Sequence, residues 1–157
     1  MNTNAFRSHN AIIVAIGNDA RQDDGLGWAF AKAVETDGRF AGSIEYRYQL
    51  QVEDAELIAG YDSVLFVDAS KAVLPEGFEY QQPAPALEFT FSTHALSPAS
   101  VLALCQQVYE RSPHAWLMAI SGEAWELQFG LSAAGARHLE AALEHFFNLV
   151  TNALSAN

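Results

Sequence analysis

The chain has 157 residues, half of them hydrophobic, and a formal net charge of −11. That length suits a single domain with a well-buried core, and that hydrophobicity argues against disorder. So acidic a chain is a poor match for nucleic acid, which rewards basic patches, and for anionic membrane surfaces. The single cysteine, Cys105, cannot form an internal disulfide and reads as a small apolar packing residue within a helix. The opening MNTNAFRSHN has no long apolar core, so residues 1–10 read as a flexible tail, and no run approaches the length of a membrane span. A cytoplasmic protein is the expectation.

In chain order, AIIVAI at 11–16 is an unbroken apolar run, as expected of a strand buried on both faces. Gly17 and Asn18 break it, and the apolar period of LGWAFAKAV predicts a helix from about 25 to 36, stopped near Asp37-Gly38. IEYRYQL at 44–50 alternates as a strand should, EDAELIAG at 53–60 is a short helix ended by Gly60, and SVLFVD at 63–68 is a second buried strand. Residues 71–86 contain three prolines and read as an irregular crossover, followed by an alternating strand at 86–91. The direction of that strand stays open, because so irregular a crossover is a poor right-handed parallel connection. Ser97 followed by Pro98 starts a helix over 97–111. AWLMAI at 115–120 is another buried strand, and a long amphipathic helix closes the chain from about Ser132 to Leu154. Buried strands alternating with helices predict a three-layer α/β/α sandwich on a twisted, mainly parallel sheet of about five strands.

Such sheets bind ligands beyond the carboxyl ends of their strands. Three polar residues fall at such junctions: Asp24 after the first strand, Asp68 closing the third, and His94 before the capped helix. Two carboxylates and one imidazole make an incomplete ligand set for a borderline transition metal, leaving positions for water or substrate. Each also has an ordinary structural role, as a cap or a surface loop residue. The acidic pair Asp23-Asp24 stands where a phosphate cradle would carry glycines and a lysine, and the spacing fits neither G-x-G-x-x-G nor a P-loop. Helix capping and cation binding both remain open for the pair. Asp23 is a candidate general base or simply a cap. Gly25 and Gly27 flank Leu26 directly after it, where close backbone approach or a positive φ would call for glycine. His138 and His145 read as helix-surface residues.

The segment GNDARQDDGLG resembles the G-N-x(4)-D-[DE]-G-x-G loop of the hydrogenase maturation proteases, with Gly17, Asn18, Gly25 and Gly27 at the loop positions. The resemblance continues through VLFVDAS, an apolar strand ending in Asp, THALSPASVL, a His just before a helix, and EAWELQFGLSAAG, the approach to the final helix. It covers about 15–150. The segment YRYQLQVED, with Gln49 and Gln51, is similar to members carrying a Q-L-x-P-E-type sequence rather than an Asp-Gly-Gly loop.

The resemblance implies a fold, an activity and a site. The fold is a twisted sheet flanked by helices. The activity is an endopeptidase that removes a C-terminal extension from the large-subunit precursor of a nickel–iron hydrogenase. The implied metal ligands are Asp24, Asp68 and His94, which would meet nickel already delivered to the precursor, with no permanent cofactor. A monomer that binds neither nucleic acid nor membrane is expected. The alternative is a non-cleaving, nickel-dependent precursor-binding or chaperone-like module using the same three ligands.

Overall fold

The computed structural model describes residues 5–88 and 95–155. Among the described residues five strands form one sheet: β1 (Ala11–Ile16), β2 (Ser43–Arg47), β3 (Ser63–Ser70), β4 (Phe78–Gln81) and β5 (His114–Ser121). Their spatial order is β2-β1-β3-β5-β4. β1 pairs in parallel with β2 and β3, β3 in parallel with β5, and β4 runs antiparallel along β5. Among the described residues four α-helices flank the sheet: α1 (Leu26–Asp37), α2 (Glu53–Ala59), α3 (Pro98–Tyr109) and α4 (Ala133–Ser155).

The strands explain the layering. β1 is buried at every position, so its successive side chains feed two cores. Ala11, Ile13 and Ala15 join Leu26, Phe30 and Val34 of α1 and Ala142, Phe146 and Val150 of α4. Ile12, Val14 and Ile16 join Ala55 and Ile58 of α2 and Val101, Leu102 and Cys105 of α3. The result is the three-layer sandwich, with α1 and α4 on one face and α2 and α3 on the other. Cys105 is a buried free thiol in the second core.

Four expectations need correction. The irregular crossover contains β4, a short edge strand whose alternating pattern of burial fits one face on the core and one in water. Three prolines in the 71–86 stretch hid it, although they fall outside its four residues. Of the strand expected at 86–91, residues 86–88 are in no strand, and 89–91 lie outside the described residues. The tail expected over 1–10 is docked in part. Phe6 is 4% exposed and packs edge-on against Trp116 and beside Phe146. His138 and His145 are not simple surface residues either. His138 Nδ1 lies 2.7 Å from the Ser121 carbonyl, and His145 sits against the rings of Phe78 and Tyr80.

Phe146 is fully buried and meets the rings of Phe6, Phe30, Phe40 and Phe147, so it ties α4 to α1 and to the N-terminal segment. Phe146→Ala should lower stability by about 3–5 kcal/mol, read from urea unfolding. A loss below about 1 kcal/mol would mean that this ring cluster is not the keystone of its core.

Candidate functional site

The four parallel strands end at one edge of the sheet. Asp68 stands near the end of β3, one residue beyond the Val67–Ala15 pair and level with Ala119 of β5. It follows Val64 and Phe66 in strand alternation, which places it on the α2/α3 face. The loop after β1 covers the same edge. Asn18 caps a 3-10 segment, Asp19–Gly25, by accepting from the Ala20 N–H at 3.0 Å. The Gly17 N–H donates to the Arg47 carbonyl, and the Asn18 N–H to that of Asp24. A side chain at Gly17 would run into the Asp24 carbonyl. Gly25 and Gly27 have similar constraints. A Cβ on Gly25 would stand 2.7 Å from the Asp19 Cα, and one on Gly27 would stand 2.5 Å from the Ile16 carbonyl oxygen. Glycine here lets α1 start directly on the strand ends.

The two adjacent carboxylates have separate surroundings. Asp23 is fully buried. One oxygen accepts from the N–H groups of Glu123 (2.7 Å) and Ala124 (3.1 Å) and from the Ser132 hydroxyl (2.6 Å); the other accepts from the Ser132 N–H (2.8 Å). Burial pushes this carboxyl upward, but the Ser132 hydroxyl and the three backbone donors outweigh it and hold it below its ordinary value. Ser132 in turn caps α4 through the Gly135 N–H, and there is no room at Gly135 for a side chain beside the Asp23 carboxylate. Asp23 caps neither the 3-10 segment nor α1. It ties the first loop to residues 123–132, a hundred positions or more along the chain.

Asp24 is only partly buried. Burial raises its carboxyl above the ordinary value, and the charges of Arg21 and Lys71 counter part of that effect. Asp68 is pushed up to about 7, first by burial and further by the charge of Asp24, while the Ala69 N–H works against both. The structure therefore brings Asp24 and Asp68 into one electrostatic neighbourhood, as two carboxylates that repel each other when both are ionised. Such a pair suits a cation, which relieves burial and repulsion together.

His94 lies outside the described residues. Its flanks are anchored on the α2/α3 face. The Glu88 N–H donates to the Ser100 hydroxyl in the first turn of α3, and the Leu96 N–H to the Leu50 carbonyl. Among the described residues no group of three or more His, Cys, Asp or Glu side chains could hold a metal ion.

Sequence reasoning missed two local devices. Gln22 takes a φ of 47°, rare for a residue with a side chain; its N–H donates to the Gln128 carbonyl and its side-chain oxygen accepts from the Glu126 N–H. Arg47, at the end of β2, is held by buried Asp54 (3.0 Å) and by Glu45 (3.3 Å). Beside it lies a cleft of about 560 Å³ bordered by Tyr46, Tyr48, Gln49 and Gln51. A basic residue ending one element and an acidic one opening the next was the available signal for that pair.

Asp23→Ala would leave three backbone N–H groups and one hydroxyl without their buried acceptor. It should lower stability by more than about 3 kcal/mol at pH 7. Because the folded value is depressed, that contribution is present above the ordinary carboxylate range and fades as pH falls through the folded value. Asp68→Asn should do the opposite. With the folded value raised to about 7, ionised Asp68 destabilises the metal-free protein above that pH. The variant should gain on the order of 2–4 kcal/mol at pH 8, a gain that shrinks to nothing as pH falls from 7 towards 4. Thermal unfolding across that range checks both signs, and an Asp68→Asn protein no more stable than its parent at pH 8 contradicts the burial described.

No family model matches the sequence, and no curated protein matches it. Solved structures do match in shape. The hydrogenase maturating endopeptidase HybD from E. coli superposes with a TM-score of 0.73 at 22% identity, covering 91% of this chain and 93% of that one. The [NiFe] hydrogenase maturation protease HycI from Thermococcus kodakarensis gives 0.72 at 22%, covering 94% and 97%. A hydrogenase 2 maturation peptidase from a Thaumarchaeota archaeon gives 0.63 at 13%, covering 90% and 97%. These chains align over nearly their whole lengths, so the likeness is to a complete domain. The protein has the fold of the hydrogenase maturation peptidases.

Proposed function

We propose that this chain belongs to the hydrogenase maturation proteases and works as an endopeptidase. On this reading it removes a C-terminal extension from the nickel-loaded large-subunit precursor of a nickel–iron hydrogenase, as a monomer in the cytoplasm. The observation that carries the reading is the pairing of Asp24 and Asp68 at the carboxyl edge of this fold. Those are the first-loop and strand-ending positions that the family resemblance marks. Among the described residues no helix is long and apolar enough to cross a membrane.

Nickel is here part of the substrate, and the chain needs no permanent cofactor. Asp24 and Asp68 would offer carboxylate oxygens to it, and His94 an imidazole nitrogen, a donor set compatible with a borderline metal. Bound there, the ion supplies Lewis acidity towards the scissile carbonyl or a water. The chain's own residues do the rest. Burial of Asp68 keeps it readily protonated near neutral pH while the site is empty, so the arriving cation displaces a proton. Asp23, whose carboxylate accepts four hydrogen bonds, positions the loop that carries Asp24 rather than moving a proton.

The test is incubation with large-subunit precursors from each hydrogenase group, with and without nickel, followed by mass spectrometry. The expected product has lost the extension only when nickel is present. Asp24→Asn, Asp68→Asn and His94→Ala should reduce processing to background while remaining folded. Processing by the parent should weaken as pH falls through about 7, where protons compete with the cation for Asp68. Stable binding with no loss of mass would favour the precursor-binding module, and full activity of His94→Ala would remove that residue from the site.

A further inference from the structure

Four of the exposed large apolar side chains fall on neighbouring loops, apart from Val73, Leu87, Val108 and Tyr109, which are exposed as well. Tyr48, Val52, Leu127 and Phe129 are 72%, 63%, 72% and 75% exposed, and all lie on loops at the carboxyl edge of the sheet. The loops are joined. The first loop bonds to Arg47, next to Tyr48, through the Gly17 N–H, and to Gln128, between Leu127 and Phe129, through the Gln22 N–H. Tyr48 also rests on Trp28, ring centroids 5.2 Å apart, and the Trp28 indole N–H donates to the Arg47 carbonyl.

Leu127 and Phe129 are held out into water by an expensive scaffold. The segment carrying them is fixed by the buried Asp23 carboxylate and by Gln22, which accepts a rare backbone conformation to do so. A turn that only closed the chain would need neither the buried charge nor the exposed Phe. Rigid apolar anchors on a preorganised loop are what protein interfaces use, because little conformational entropy is lost on binding. Glu123 and Glu126 are exposed on the loop that carries Leu127 and Phe129, and Glu53, exposed too, opens α2 next to Val52; Arg21 and Lys71 are the exposed cations of this edge. The partner face is therefore apolar, with a basic margin where it meets Glu123 and Glu126.

We infer that Leu127 and Phe129, with Tyr48 and Val52 across the first loop, form a docking surface for the folded body of the precursor, distinct from the residues that meet nickel. The inference rests on the processing reading. The occupant follows from continuity: the loop segment that contacts both halves of this rim, Gly17 to Gln22, leads directly into Asp24. A body seated on the rim brings its own terminal segment to the Asp24–Asp68 edge. The acidic character of the whole chain, −11, suits the same basic-margined partner.

The double variant Leu127→Ser/Phe129→Ser tests it, because both side chains are exposed and their loss should leave the melting temperature unchanged. With a nickel-loaded precursor that the parent processes, KM should rise about tenfold or more and kcat should stay within about twofold. Direct binding should weaken by the same factor, and added salt should weaken parent binding. A double variant with the parent's KM overturns the docking surface while leaving the processing reading intact. A parent dimer in sedimentation that the double variant converts to monomer assigns the patch to self-association and overturns it too. A parent that binds without cleaving, with binding lost in the double variant, supports the docking surface and removes the cleavage. A parent that neither binds nor cleaves any precursor removes both.

Discussion

The buried carboxylate of Asp23 is the contact on which the working edge of this protein depends. It accepts four hydrogen bonds from Glu123, Ala124 and Ser132 and so joins the loop after β1 to the segment entering α4. A buried charge is tolerable only when its lone pairs are satisfied, and here backbone N–H groups and one hydroxyl do that. In return the first loop has a fixed path, and the backbone of Asp24 is set over Gly17. Neighbouring residues thereby take different parts. Asp23 is held ionised by hydrogen bonds, and Asp24 is left partly buried beside Asp68.

The sheet supplies the other half of the geometry. Parallel strands deliver β1, β2, β3 and β5 to one edge in register, so the end of β3 and the loop after β1 meet without any long connection between them. Glycines let the backbones approach: α1 begins where a Cβ on Gly27 would touch the carbonyls of Ile16 and Val67. The carboxylates of Asp24 and Asp68 are consequently brought together by main-chain packing rather than by hydrogen bonds between them. Burial and the neighbouring charge of Asp24 make ionised Asp68 costly to the fold.

Much of the fold could be read from the sequence because its signals are local. The apolar runs of β1, β3 and β5, the Ser97-Pro98 helix start and the stripe of α4 each announce themselves within a few residues. β4 could not be read, since four alternating residues between proline-rich neighbours owe their strand state to pairing with β5. Phe6 looked like tail for the same reason: its burial comes from Trp116 and Phe146, far along the chain. Within the site, the positions of Asp24 and Asp68 at a loop and a strand end were visible. The division of labour within the acidic pair was not, because the partners that claim Asp23 lie beyond residue 120 and no short-range pattern links them.

The most direct measurement of the central claim is nickel-edge X-ray absorption on the complex between this protein and a nickel-loaded precursor. Assembly of the complex should add oxygen-donor scattering from Asp24 and Asp68 to the nickel shell of the free precursor. Asp68→Asn should alter that shell, while Leu127→Ser/Phe129→Ser should leave it intact once the complex is saturated. A nickel spectrum unchanged between the free precursor and the complex would contradict the assignment of the Asp24–Asp68 edge as the place where the metal is met.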